Sequence, residues 1–99
     1  MSTDINLAKQ AVHDKIEAKI KGAQAKLEAL KAKAELAKAS PALVLIAELL
    51  IKKHAIDRKL NELKKSGDGT YQQTKTDVES RVADLEASVK AIEAKFKAA

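Results

Sequence analysis

The side chains best placed to do chemistry in this sequence are two histidines, each with a carboxylate at helical spacing. His13 is followed by Asp14 and, one turn on, by Glu17; His54 is followed three residues on by Asp57. A His with a carboxylate three or four positions later shares one helix face with it and supplies half of a metal site. Carboxylate-rich metal bundles complete the set with Glu-x-x-His pairs projecting inward from several helices. No Glu-x-x-His occurs here, and the inward-facing positions are aliphatic. The expectation is therefore solvated or boundary histidines, with no metal ligands and no cofactor.

Nucleophilic catalysis has as little support. Ser2 is near the terminus, Ser40 and Ser66 sit at cap or turn positions, and Ser80 and Ser88 lie in a mixed-charge stretch without a neighbouring His. There is no cysteine. Gly67-Asp68-Gly69 is a turn signal and lacks the spacing of a phosphate loop. Glu48, the one carboxylate in an apolar run, has Lys52 one turn on and reads as a rim residue. No catalytic residue is assigned, and a non-enzymatic protein is expected.

What remains is surface charge. The net charge is +5. It is concentrated before the Gly67 turn, where eight basic residues face five acidic ones up to Ala39, and six face three from Ser40 to Ser66. Lys52, Lys53, Arg58, Lys59, Lys64 and Lys65 are the candidate phosphate contacts. They would give salt-dependent, sequence-blind binding of nucleic acid, but no aromatic residue stands among them to stack bases.

The elements that must carry these residues are long helices. Ala, Glu, Lys and Leu dominate, and apolar residues recur three and four apart. Two signals interrupt the pattern, Ser40-Pro41 and Ser66-Gly67-Asp68-Gly69. They divide one helical domain, residues 1–99, into helices over 3–39, 41–66 and 70–98. The first opens on a cap at Ser2, Thr3 or Asp4. Its stripe runs Ile5, Ala8, Val12, Ile16, Ile20, Ala23, Leu27, Leu30, Ala34 and Ala37. Consecutive steps of four from Val12 to Ile20 read as a stutter, and Gly22 just beyond them as a tolerated surface glycine. The second opens with Ser40 as cap and Pro41 at the first helical position. Its stripe narrows to Leu49, Ile56, Leu60 and Leu63 after the almost wholly apolar run 42–51. The third is the most regular, with Val78, Val82, Leu85, Val89, Ile92 and Phe96 stepping as a heptad.

The fold class is all-α, an antiparallel three-helix bundle or coiled coil. The alternative is a helical hairpin whose long first helix is kinked at Pro41. No Gly or Asn ends the first helix, and Val44 and Ile51 continue its stripe past the proline. Gly67 is expected to supply a left-handed C′ residue at the second reversal, with Gly69 or Thr70 capping the third helix. An up-down-up bundle leaves roughly ten N-terminal residues overhanging, at ~1.5 Å per residue.

Uncovered apolar positions then define the expected mode of action, self-association or packing on a partner helix. The candidates are Ile5, Leu7 and Val12 on the overhang and Val44, Leu50 and Ile51 on the second helix. Homo-oligomerisation leads, nucleic-acid binding through the basic second helix is the runner-up, and amphipathic binding to a lipid or other hydrophobic surface is third. The longest apolar run, broken by Glu48, falls short of the ~20 residues that span a bilayer. With no cysteine and no basic-then-apolar leader over residues 1–6, a cytoplasmic location is expected.

Overall fold

The computed structural model describes the backbone of residues 2–98 and the side chains of residues 7–97. The expected cap at Ser2, Thr3 or Asp4 and the expected role of Ile5 rest on side chains outside the described residues. Three helices follow one another, α1 (Ser2–Leu36), α2 (Ser40–Lys65) and α3 (Asp68–Ala98). They pack up-down-up into a rod 54 Å long and 17 by 16 Å across. No helix among the described residues is long and apolar enough to cross a membrane.

The core is a thin aliphatic seam. Ile16, Ile20, Ala23, Leu27, Leu30 and Ala34 of α1 meet Ile46, Leu49, Ile56, Leu60 and Leu63 of α2 and Val78, Val82, Leu85, Val89 and Ile92 of α3. Leu27, Ile46, Leu63, Val78 and Val89 are the largest side chains removed completely from water. Burying such a side chain contributes about 1.5–3 kcal/mol. Tyr71 and Phe96 pack against the seam at its two ends.

The chain reverses at Pro41 instead of bending there, which excludes the kinked hairpin. The reversal is made by a residue with no conformational advantage. Lys38 adopts φ 53°, in the left-handed region. Its N–H donates to the Glu35 carbonyl at 3.2 Å, and the Ala39 N–H donates to the Ala34 carbonyl at 2.9 Å. This paired closure is the Schellman arrangement, with Lys38 where glycine is usual. Ala39 completes it by packing against the core beside buried Ala34.

Ala39, not Ser40, is the cap of α2, and no side chain caps that end. Ser40 and Pro41 fall within the first turn, where a missing proline N–H is harmless because that N–H has no helical partner. The second reversal also differs from expectation, since no glycine has a positive φ. Ser66 instead leaves the helix in extended conformation, at φ −73° and ψ 147°. Its Oγ donates to the Leu63 carbonyl at 2.8 Å. The Gly67 carbonyl accepts the Thr70 and Tyr71 N–H groups. α3 therefore begins at Asp68, whose carboxylate suits the positive end of the helix dipole.

The earlier start of α3 shortens the overhang. Lys9 already reaches Asp68 at 2.8 Å, and Val12 packs against the core. Only the residues before Lys9, about two helical turns at 3.6 residues each, project beyond the bundle.

Two substitutions test this account of the backbone. Lys38→Gly relieves the left-handed residue and should stabilise the chain by about 0.5–1 kcal/mol, read as a higher urea midpoint. Gly22→Ala should stabilise by a similar amount, about 0.5–1 kcal/mol, because an added Cβ there meets nothing within 4 Å. A lower midpoint for either variant would contradict the geometry described.

Candidate interaction surfaces

Three groups of functional candidates emerge at different places on the rod. The first is a polar cluster at the end where α2 turns into α3. The Tyr71 hydroxyl and His13 Nε2 are 3.1 Å apart, with ring centroids 5.8 Å apart and planes tilted by 52°. Lys9 Nζ lies 4.4 Å from the centre of the Tyr71 ring, a cation–π contact. The same ammonium holds Asp68, and Lys64 of α2 holds Glu17 of α1 at 2.6 Å. The cluster ties all three helices together and closes the end of the apolar seam. His54 stands apart on an exposed position. Among the described residues, no three His, Asp or Glu side chains converge as a metal site would require.

Burial, and after it the charge of Lys64, holds the His13 imidazole below its ordinary 6.5. In the neutral Nδ1–H tautomer, His13 Nε2 accepts a hydrogen bond donated by the Tyr71 hydroxyl. Burial raises the Tyr71 hydroxyl above 10.0. The hydrogen bond from Lys64 lowers the Glu17 carboxyl, and the hydrogen bond from Lys9 lowers that of Asp68.

The second group is the outer face of α2. Val44, Ala47, Ile51 and Ala55 step three, four and four along the helix, and all four are exposed. Val44 retains 58% and Ile51 69% of its accessible surface. Leu50 is half-buried and partly packed against the core, so it belongs to the seam's edge rather than this stripe. Leu7 is exposed on the overhang. Leu36 and Leu45, exposed as well, lie off the three-four stripes of their helices. Leu36 occupies the last turn of α1, beside the end of α2 that carries Val44.

The third group is the six basic residues of α2. Lys53 occupies a seam position, with a side chain only 12% exposed and 2.8 Å from Asp57. It is not a surface cation free to meet a phosphate. Lys59 is tied to Glu62 at 3.3 Å and Lys64 to Glu17. Lys52, Arg58 and Lys65 are exposed and form no ion pair among the described residues.

No protein-family model, curated protein or solved structure matches the chain.

The polar cluster predicts a particular pH dependence. A histidine whose folded value is lowered binds more protons when unfolded, so its stabilisation is present above 6.5 and is lost as pH falls through and below that value. The lowered carboxyls of Glu17 and Asp68 add a loss of the same sign at lower pH. Tyr71, whose value is raised, adds a loss as pH rises through 10.0. Urea midpoints measured from about pH 8 to 5 should fall for the wild type and lose the step near 6.5 in His13→Gln. A wild-type midpoint level across that range would refute the assignment.

Proposed function

We propose that this protein is a non-enzymatic helical interaction module that pairs with a second copy of itself through the outer face of α2. The observation that carries the reading is the exposure of Val44 and Ile51, one heptad apart on the same helix face. Small, exposed Ala47 and Ala55 lie between and beyond them and let another helix come close.

Charge favours a second copy over an unrelated apolar partner. Antiparallel pairing about a point between Ala47 and Glu48 seats Val44 against Ile51 of the second copy. The same two-fold sets Glu48 opposite Ala47 of the second copy, about 7.5 Å along the axis from that copy's Lys52 and on the same flank. Both contacts occur twice, as a closed two-fold interface requires. Glu48 and Lys52 are exposed and stand outside the chain's own ion pairs among the described residues. The mechanism is burial of the apolar stripe, with the flanking charges setting helix direction.

Multi-angle light scattering tests the reading. The wild-type chain should run as a dimer or larger species. The double variant Val44→Glu with Ile51→Glu should run as a monomer with unchanged helical circular dichroism, because both side chains are already exposed within one chain. A wild type that is monomeric throughout a concentration series would overturn it.

A further inference from the structure

On the side of the rod away from the outer face of α2, a groove follows the seam between the parallel helices α1 and α3. Three depressions of about 210, 370 and 220 Å³ succeed one another along it. They run without a gap in α1 from Val12 to Lys33, about 32 Å of helix at 1.5 Å per residue. Ile16, Ala23 and Val89 lie beneath it as buried core residues, and what stays accessible along it is the small surface of Ala18, Gly22 and Ala29 and the half-buried ring of Phe96 at its upper end. Gly22 opens the middle of the α1 rim, where nothing lies within 4 Å of an added Cβ.

The two rims differ in charge. Along α1, Lys15, Lys19, Lys26 and Lys33 border the groove with no acidic residue between them at its edge. Lys19, Lys26 and Lys33 are one heptad apart. Along α3, Glu79, Glu86 and Glu93 are also one heptad apart, and Lys75, Lys90 and Lys97 are interspersed among them. None of these side chains takes part in an ion pair within 4.0 Å among the described residues. The groove thus offers seven cations and three anions, with the cations alone on the α1 side.

We infer that this groove is a docking site for an amphipathic helix of another protein, acidic along the flank that faces α1. Such a helix converts three helices into four and packs on the exposed Ala18, Gly22 and Ala29 and on Phe96 between the charged rims. A helix of about three heptads spans the groove and places acidic flank residues opposite Lys19, Lys26 and Lys33 in register. A second copy of this chain is a poor occupant, because it brings the same lysines to the same rim. Glutamates recurring every seven residues on α3 oppose a phosphate backbone. The aliphatic residues lie beneath the charged rims, whereas a membrane-binding helix must project its apolar face. This surface is distinct from the outer face of α2 and does not depend on self-association.

The probe is a synthetic helix-forming peptide of about 21 residues, with Leu and Ala on its apolar face, Glu on one flank and Gln on the other. Titrated against the labelled full chain, it should move the amide resonances of Gly22, Lys26, Val89 and Phe96, with affinity falling as salt rises. A peptide with Lys in place of Glu should not bind. Reversal of Lys19, Lys26 and Lys33 to Glu should weaken binding at least about tenfold, a loss of about 1.4 kcal/mol. Gly22→Leu should also weaken it, because the new side chain fills the groove while improving helix propensity in the monomer. Val44→Glu with Ile51→Glu should leave peptide binding unchanged, which separates this site from the dimer surface. No binding, affinity indifferent to the lysine reversals, or preference for duplex DNA or phosphatidylserine vesicles over the acidic peptide would each overturn the inference.

Discussion

The structure depends on the burial of one continuous aliphatic seam. Among the described residues sixteen buried side chains make it, and none is polar or charged. Hydrophobic burial is strong but non-directional, so Val, Leu, Ile and Ala in heptads hold helices together without choosing one arrangement. Ala is abundant and aromatics are scarce, which keeps the seam thin and puts the choice of arrangement on groups at its edges. Three such groups are visible. The Lys38 closure fixes the direction of α2 relative to α1. Lys53 carries its stem along the seam of α2 while its ammonium meets half-exposed Asp57 at the seam's edge, and a polar residue at a seam position commonly fixes register at some cost in stability. The His13–Tyr71 contact, with Lys9 and Asp68, fixes the start of α3 against α1.

That division of labour explains what could be read from the chain. Every buried residue of α1 and α3 lies on a stripe visible as steps of three and four, because burial is periodic and local sequence carries the period. Helix number and order followed from the same pattern. The first reversal was harder, since it uses Lys38, a residue type with no preference for the left-handed region. Nothing in its identity marks the turn, and only the pairing of Lys38 and Ala39 with Glu35 and Ala34 explains it. Gly67 misled in the opposite way. Its type suggested a left-handed residue, yet the extended Ser66 and its hydroxyl made that conformation unnecessary.

Side-chain partnerships were less legible than helices, for a geometric reason. Lys53 reads as one of six surface cations until the seam of α2 is followed through it, from Leu49 to Ile56. His13 and Tyr71 are 58 positions apart, and nothing local joins them. Their meeting follows only when α1 and α3 are laid parallel at an offset near that value. A similar offset, sixty positions in the numbering, pairs Lys19 with Glu79, Lys26 with Glu86 and Lys33 with Glu93. The heptad positions of these residues could be seen in sequence, but the shared groove emerges only once the three-helix register is known.

The distribution of charge over the finished rod bears on how one small chain could serve two partners. On α2 the outer stripe is flanked by Glu48 and Lys52, one of each sign, so a two-fold can satisfy both. Along the α1 edge of the opposite groove every charge is positive, so a two-fold would set like charges together, whereas the acidic helix inferred for it brings the opposite sign. Symmetric contacts need self-complementary surfaces, whereas one-signed surfaces need a foreign complement. With the edges of the core already occupied by turns and ion pairs, these outer charges are what is left to select the partners proposed above. For the proposed partners, the α2 stripe and the small exposed residues beside the groove offer the area to be covered, and the flanking charges favour one chain over another.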